Sequence, residues 1–164
     1  MPTIQSNYDG ASLYYRHYIP QTSAPSFRYI DKDADNHPTN PALVFSAAWP
    51  FSGAMYDHLV PTLTEPHRYP CILPDRRGFG KSEWSGPAGL QHHRIDYGTF
   101  AQELRRIIHE ICQRADRECA MFVAVGTSMA CGEIIEMLSN DDAGDLTLAC
   151  NGIILICSSP PIPM

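Results

Sequence analysis

Ser128 lies in the run Met121-Phe-Val-Ala-Val-Gly-Thr-Ser-Met-Ala-Cys-Gly132, where an apolar, strand-like segment breaks at Gly126 and a helix-like pattern resumes after the serine. A serine hydroxyl is a weak nucleophile, and a sharp strand-to-helix turn lifts it clear of a sheet to where a base can reach it. The same turn sets the backbone N–H of Met129, at the start of the next helix, beside any negative charge that grows on an attacked carbonyl. The chemistry this spacing can perform is acyl transfer at a nucleophile elbow. The pattern departs from Gly-x-Ser-x-Gly only at Ala130, the smallest replacement for glycine. A serine in such a place is also an ordinary helix N-cap, so the reading depends on the elements around it.

A second candidate segment is Phe45-Ser-Ala-Ala-Trp-Pro-Phe51, directly after a short apolar run. Acyl-transfer enzymes with a strand-turn-serine layout take their second oxyanion donor from this place. The backbone N–H of Trp49 fits that role, a packing Trp49 ahead of a turn at Pro50 fits equally, and the residues alone leave both open. Gly78-Phe-Gly-Lys-Ser82 ends like a phosphate-binding loop, but Asp75 stands where the first glycine is required and no helix pattern follows. It reads instead as a tight turn at a strand end.

These residues need elements to position them. Tyr8 to Tyr18 reads as two strands joined at an Asp9-Gly10 hairpin turn. Ile19 to Pro41 is polar and rich in Pro, Ser, Asp and Asn, a loop or insertion. Buried strands are expected at Ala42 to Ser46 and Tyr69 to Pro74, with helical spacing from Ala54 to Leu63 between them and a glycine-rich loop from Asp75 to Gly89. Phe100, Leu104, Ile107, Ile108 and Ile111 form one apolar face of a helix over Tyr97 to Arg114. A strand at Met121 to Val125, a helix at Met129 to Leu138 and a strand at Gly152 to Cys157 complete the series. Alternation of this kind argues a parallel sheet with helices on both faces, whose ligands bind at the carboxyl ends of the strands. Ser128 falls at such an end.

The chain of 164 residues, 44% hydrophobic and 18% charged, reads as a single domain or a large piece of one. A formal net charge of -6 with no basic stripe argues against a nucleic-acid partner. The absence of a long apolar run or a secretory leader pattern argues against a membrane and for a cytoplasmic protein. Six cysteines without a Cys-x-x-Cys pair, several in apolar runs, read as buried reduced thiols. The neighbours His92 and His93 diverge, and ligand spacing does not recur, so no metal is expected.

Four motifs in order carry a resemblance: Asp75-Arg-Arg-Gly-Phe-Gly-Lys-Ser82, Asp96-Tyr-Gly-Thr-Phe100, Val125-Gly-Thr-Ser-Met-Ala-Cys-Gly-Glu133 and Ile154-Leu-Ile-Cys-Ser-Ser-Pro-Pro161. Together they resemble the α/β-hydrolase family, and within it the cofactor-free haloperoxidases and aryl esterases, over most of the chain from about Tyr8 to Met164 apart from the loop between Ile19 and Pro41. The resemblance implies a three-layer α/β/α fold with a mostly parallel sheet behind an N-terminal antiparallel hairpin, C-terminally incomplete. It implies Ser128 as nucleophile, the N–H groups of Trp49 and Met129 as oxyanion donors, no cofactor, and small esters or activated acyl compounds as substrates. Two departures stand out. The family's His-Gly before the Trp is Ala47-Ala48 here, and all seven histidines precede Ser128, whereas the family's acid and histidine follow it. Asp141, Asp142 and Asp145 follow Ser128 but read as solvated loop carboxylates. The expectation for these 164 residues is therefore an impaired serine hydrolase with weak or no turnover. The rival expectations are a non-catalytic ligand-binding module and a protein that associates, with itself included, through an open sheet edge at Gly152 to Cys157.

Overall fold

The computed structural model of the chain describes residues 2–20, 40–88, 95–113, 121–140 and 150–156. Three strands, β3 (Ala42–Ser46), β4 (Cys71–Pro74) and β5 (Phe122–Thr127), are apolar on both faces, as a strand must be when both sides of its sheet are covered. With β1 (Thr3–Gln5), β2 (Ser12–Tyr18) and β6 (Cys150–Ile156) they form a six-stranded sheet of order β1-β2-β4-β3-β5-β6. The β1–β2 and β2–β4 pairs are antiparallel, and β4, β3, β5 and β6 run parallel. This is the mostly parallel sheet behind an antiparallel hairpin that the sequence pattern predicts.

Strand alternation divides the core in two. Val44, Ile72 and Ala124 face a cluster with Leu104, Ile108 and Ile134, supplied by α2 (Tyr97–Gln113) and α3 (Ala130–Ser139). Their neighbours Phe45, Cys71, Leu73 and Val125 point to the other face and pack with Tyr56 and Val60. Those two residues come from a 3-10 turn at Gly53–Tyr56 and a short helix α1 (Val60–Thr64).

The single helix expected from Ala54 to Leu63 is thus two pieces. Pro61 has no N–H to donate back to Asp57, so a helix can start around it but cannot run through it. The opening hairpin also differs, because its first strand is Thr3–Gln5, and Tyr8 lies in the turn that Gly10, at φ 78°, completes. Strand β6 begins two residues before the strand expected at Gly152 to Cys157, and its Ile153, Ile154, Leu155 and Ile156 are 40 to 49% exposed. It is the last strand of the sheet, paired on one side only among the described residues. Most of the loop at 19–41, together with His92, His93, Asp141, Asp142, Asp145, Cys157 and the last part of the fourth motif, lies outside the described residues.

Candidate active site at the elbow

Register brings the two candidate segments together. Ser46 at the end of β3 pairs with Gly126 in β5, so the loop starting at Ala47 and the turn holding Ser128 leave adjacent parallel strands at the same end of the sheet. The Tyr56 hydroxyl ties them further, donating to the Ser46 carbonyl at 2.9 Å and lying 2.7 Å from Thr127 Oγ1.

Ser128 occupies the left-handed region at φ 58°, a conformation that costs a residue with a side chain about 1–3 kcal/mol and persists only where its surroundings enforce it. Here the Ser128 N–H donates to the Ile156 carbonyl at 2.9 Å and the Ser128 carbonyl accepts from Cys131 N at 3.0 Å. The N-cap of α3 is Met129, with no side-chain cap bond, so Ser128 does not serve as an ordinary cap. Its side chain is left half-buried at the sheet end. The departure at Ala130 is accommodated, since Ala130 is fully buried and the close approach is made at Gly126, where an added Cβ would stand 3.1 Å from the Ala130 backbone.

Met129 and Trp49 use their N–H groups in none of the hydrogen bonds among the described residues. The Trp49 ring is not a core packing residue. It is 54% exposed and meets the Phe79 ring nearly at right angles, ring centroids 4.7 Å apart. The loop around it is fixed by its carbonyls: Ala48 O accepts from Phe51 N at 2.7 Å, and Ala47 O accepts from Arg76 Nη2 at 3.0 Å.

Sequence reasoning missed the charges that support these turns. Arg76 is buried, donates to Glu133 Oε2 from Nε at 3.1 Å and Nη2 at 2.5 Å, and lies over the Phe100 ring. Glu133 Oε2 also accepts from Ser46 Oγ at 3.1 Å. Arg77 forms a second buried cluster, donating to both Asp9 oxygens and to Glu103 Oε1, which Ser6 also reaches. A signal was available, because Glu133 falls on the apolar stripe of Ala130, Ile134 and Met137, and Glu103 beside Phe100, Leu104 and Ile107. A carboxylate on a core-facing stripe demands a buried partner. The phosphate-loop lookalike is also explained. Its turn wraps a carboxylate of the chain itself, with Asp75 accepting from Gly53 N at 3.0 Å and Lys81 N at 2.9 Å.

A cavity of about 20 Å³, lined by Ser46, Arg76, Phe100, Glu103 and Glu133 among others, lies between the two charge clusters. It can hold a water-sized occupant and is far too small for an acyl substrate. No group of three metal-ligating side chains occurs among the described residues, and no helix there is long and apolar enough to cross a membrane.

The strand order, the hairpin and the elbow after β5 define the N-terminal portion of the α/β-hydrolase fold. Among solved structures, the chain is similar to an esterase from Exiguobacterium antarcticum, with a TM-score of 0.68 and 21% identity over 98% of this chain and 46% of that one. It is similar also to a bromoperoxidase from Bacillus anthracis (TM-score 0.64, 23% identity, 98% and 45% covered) and to an epoxide hydrolase from Bacillus megaterium (0.61, 14%, 96% and 42%). The chain thus spans less than half the length of these structures. No family profile matches it, and no curated protein does.

Proposed function

We propose that the chain is the nucleophile-bearing part of a serine hydrolase acting on a small carboxylic ester or related acyl compound. Ser128 Oγ attacks the acyl carbonyl and the N–H groups of Met129 and Trp49 receive the oxyanion; the tetrahedral adduct then collapses to an acyl-serine ester as the alcohol leaves with the serine's proton, and water cleaves that ester to the carboxylic acid and free Ser128. The observation that carries this reading is the left-handed Ser128, held by Ile156 O at a strand-to-helix turn and not spent on capping α3. The esterase and bromoperoxidase among the similar structures support the substrate class. The family's chain order puts the histidine after the serine, and all seven histidines here precede Ser128, so that order assigns no base among these residues. Oxyanion and binding help alone are worth about 10³–10⁴ over water, so slow turnover is expected from these residues by themselves. The test is hydrolysis of p-nitrophenyl acetate by the purified chain. Activity above buffer that disappears in Ser128→Ala supports the reading, and equal activity in the two proteins removes it.

A second reading is favoured by one observation, the exposed apolar side chains of β6. An unpaired apolar strand edge is a template for another strand, and self-association there would complete the sheet. Size-exclusion chromatography over a range of concentrations tests it, a persistent monomer being the contrary result.

A further inference from the structure

We propose that Arg76 and Glu133 are positioning residues that lock the oxyanion loop to the nucleophile helix. The inference rests on the serine hydrolase reading of Ser128 and deepens it. The ion pair is buried, with only 3% and 4% of the two side chains exposed. Each partner reaches a different part of the site. Glu133 belongs to α3, the helix whose N-cap is Met129, so its position is tied to one oxyanion donor. Through Oε2 it also holds Ser46, the last residue of β3. Arg76, on the loop after β4, uses Nε and Nη2 on Glu133 and Nη2 again on the carbonyl of Ala47.

That last bond gives the pair a functional role. A peptide unit is planar and trans, so its C=O and N–H point in opposite directions. Fixing Ala47 O on Arg76 fixes the Ala47–Ala48 unit, and fixing Ala48 O on Phe51 N fixes the next unit, whose N–H belongs to Trp49. The planes that aim the second donor are therefore set by Arg76 at one end and by a local turn at the other. In this chain the loop has Ala47-Ala48 and lacks the histidine and glycine expected there, so its orientation depends on the guanidinium. A lysine could keep the charge beside Glu133 but lacks the planar fork that serves two acceptors at once.

The experiment is the second-order rate at which a fluorophosphonate labels Ser128 in the whole 164-residue chain, compared with Glu133→Gln, Arg76→Lys and Glu103→Gln, each corrected for its folded fraction. Glu103→Gln weakens the other buried cluster without touching Ala47, so it reports what lost stability alone does to the rate. Losing an oxyanion donor costs about 10²–10³-fold, and a misaimed one costs part of that. Glu133→Gln and Arg76→Lys are expected to label on the order of tenfold more slowly, with Glu103→Gln at the parental rate. If either of the first two does not fold, the other reads the same link. Parental rates in the folded Arg76 and Glu133 variants, or an equal loss in Glu103→Gln, overturn the proposal and leave the Ser128 reading standing. A parent chain that labels no faster than Ser128→Ala overturns that reading and the proposal with it.

Discussion

Ser128 and Ile156 are joined by a backbone hydrogen bond of 2.9 Å, so the strained turn of the elbow is propped by β6, the last strand of the sheet among the described residues. The strain belongs to the backbone and is relieved by glycine, which enters the left-handed region at no steric cost. Ser128→Gly is therefore expected to be more stable than Ser128→Ala by about 1–2 kcal/mol. Urea denaturation of the two variants side by side checks this, and equal midpoints would mean that the turn relaxes when the serine is gone.

Close packing beneath the turn gives a second expectation. A Cβ on Gly126 would stand 2.7 Å from Ile134 Cδ1 and 3.1 Å from the Ala130 backbone, whereas one on Gly152 would find nothing nearer than 4.0 Å. Overpacking at such a contact costs about 1–3 kcal/mol. Thermal unfolding should show Gly126→Ala clearly destabilised and Gly152→Ala close to the parent.

The buried Arg77 cluster governs acid stability. Hydrogen bonds from Arg77 hold the Asp9 carboxyl down at about 2, helped by the Gly86 and Ala11 N–H groups against the effect of burial. A depressed carboxyl contributes stability in full above its unfolded value, near 4, and loses it as the pH falls through the folded value. For Asp9 this is about 2 kcal/mol, lost between about pH 4 and pH 2. Denaturation midpoints over that range should fall more steeply for the parent than for Asp9→Asn, which starts less stable at neutral pH. Arg77→Met, by stranding Asp9 and Glu103 together, should cost about 3–5 kcal/mol.

Thiol chemistry offers a check on the core. Burial pushes the Cys71 thiol up to about 12, so it has almost no thiolate at neutral pH. Cys131 is 1% exposed, with its Sγ–H directed at the Gly126 carbonyl 3.4 Å away. Iodoacetamide followed by peptide mapping should leave both unmodified in the native chain and alkylate both in guanidinium.

How much of this was legible in the residues follows from where the controlling forces act. Strands β3, β4 and β5, and the long helix α2, were readable because continuous apolar runs and a 3.6-residue stripe reflect burial directly. The break at Pro61 was readable in principle, from the missing N–H alone. The support of the site was harder to read. The contacts of Arg76 with Glu133 and of Arg77 with Asp9 span 57 and 68 residues of sequence, and no local period encodes such pairings. The exposure of β6 likewise depends on what stands beside the strand, and its composition alone does not reveal that.

Ser128 is proposed above as the nucleophile. The most direct test of that role is to treat the folded chain and Ser128→Ala with a fluorophosphonate and map the adduct by peptide mass spectrometry. One phosphonylated site is expected, on the peptide containing Ser128, absent in the variant. A chain that stays unlabelled while remaining folded, or that is labelled elsewhere to the same extent in both proteins, contradicts that role.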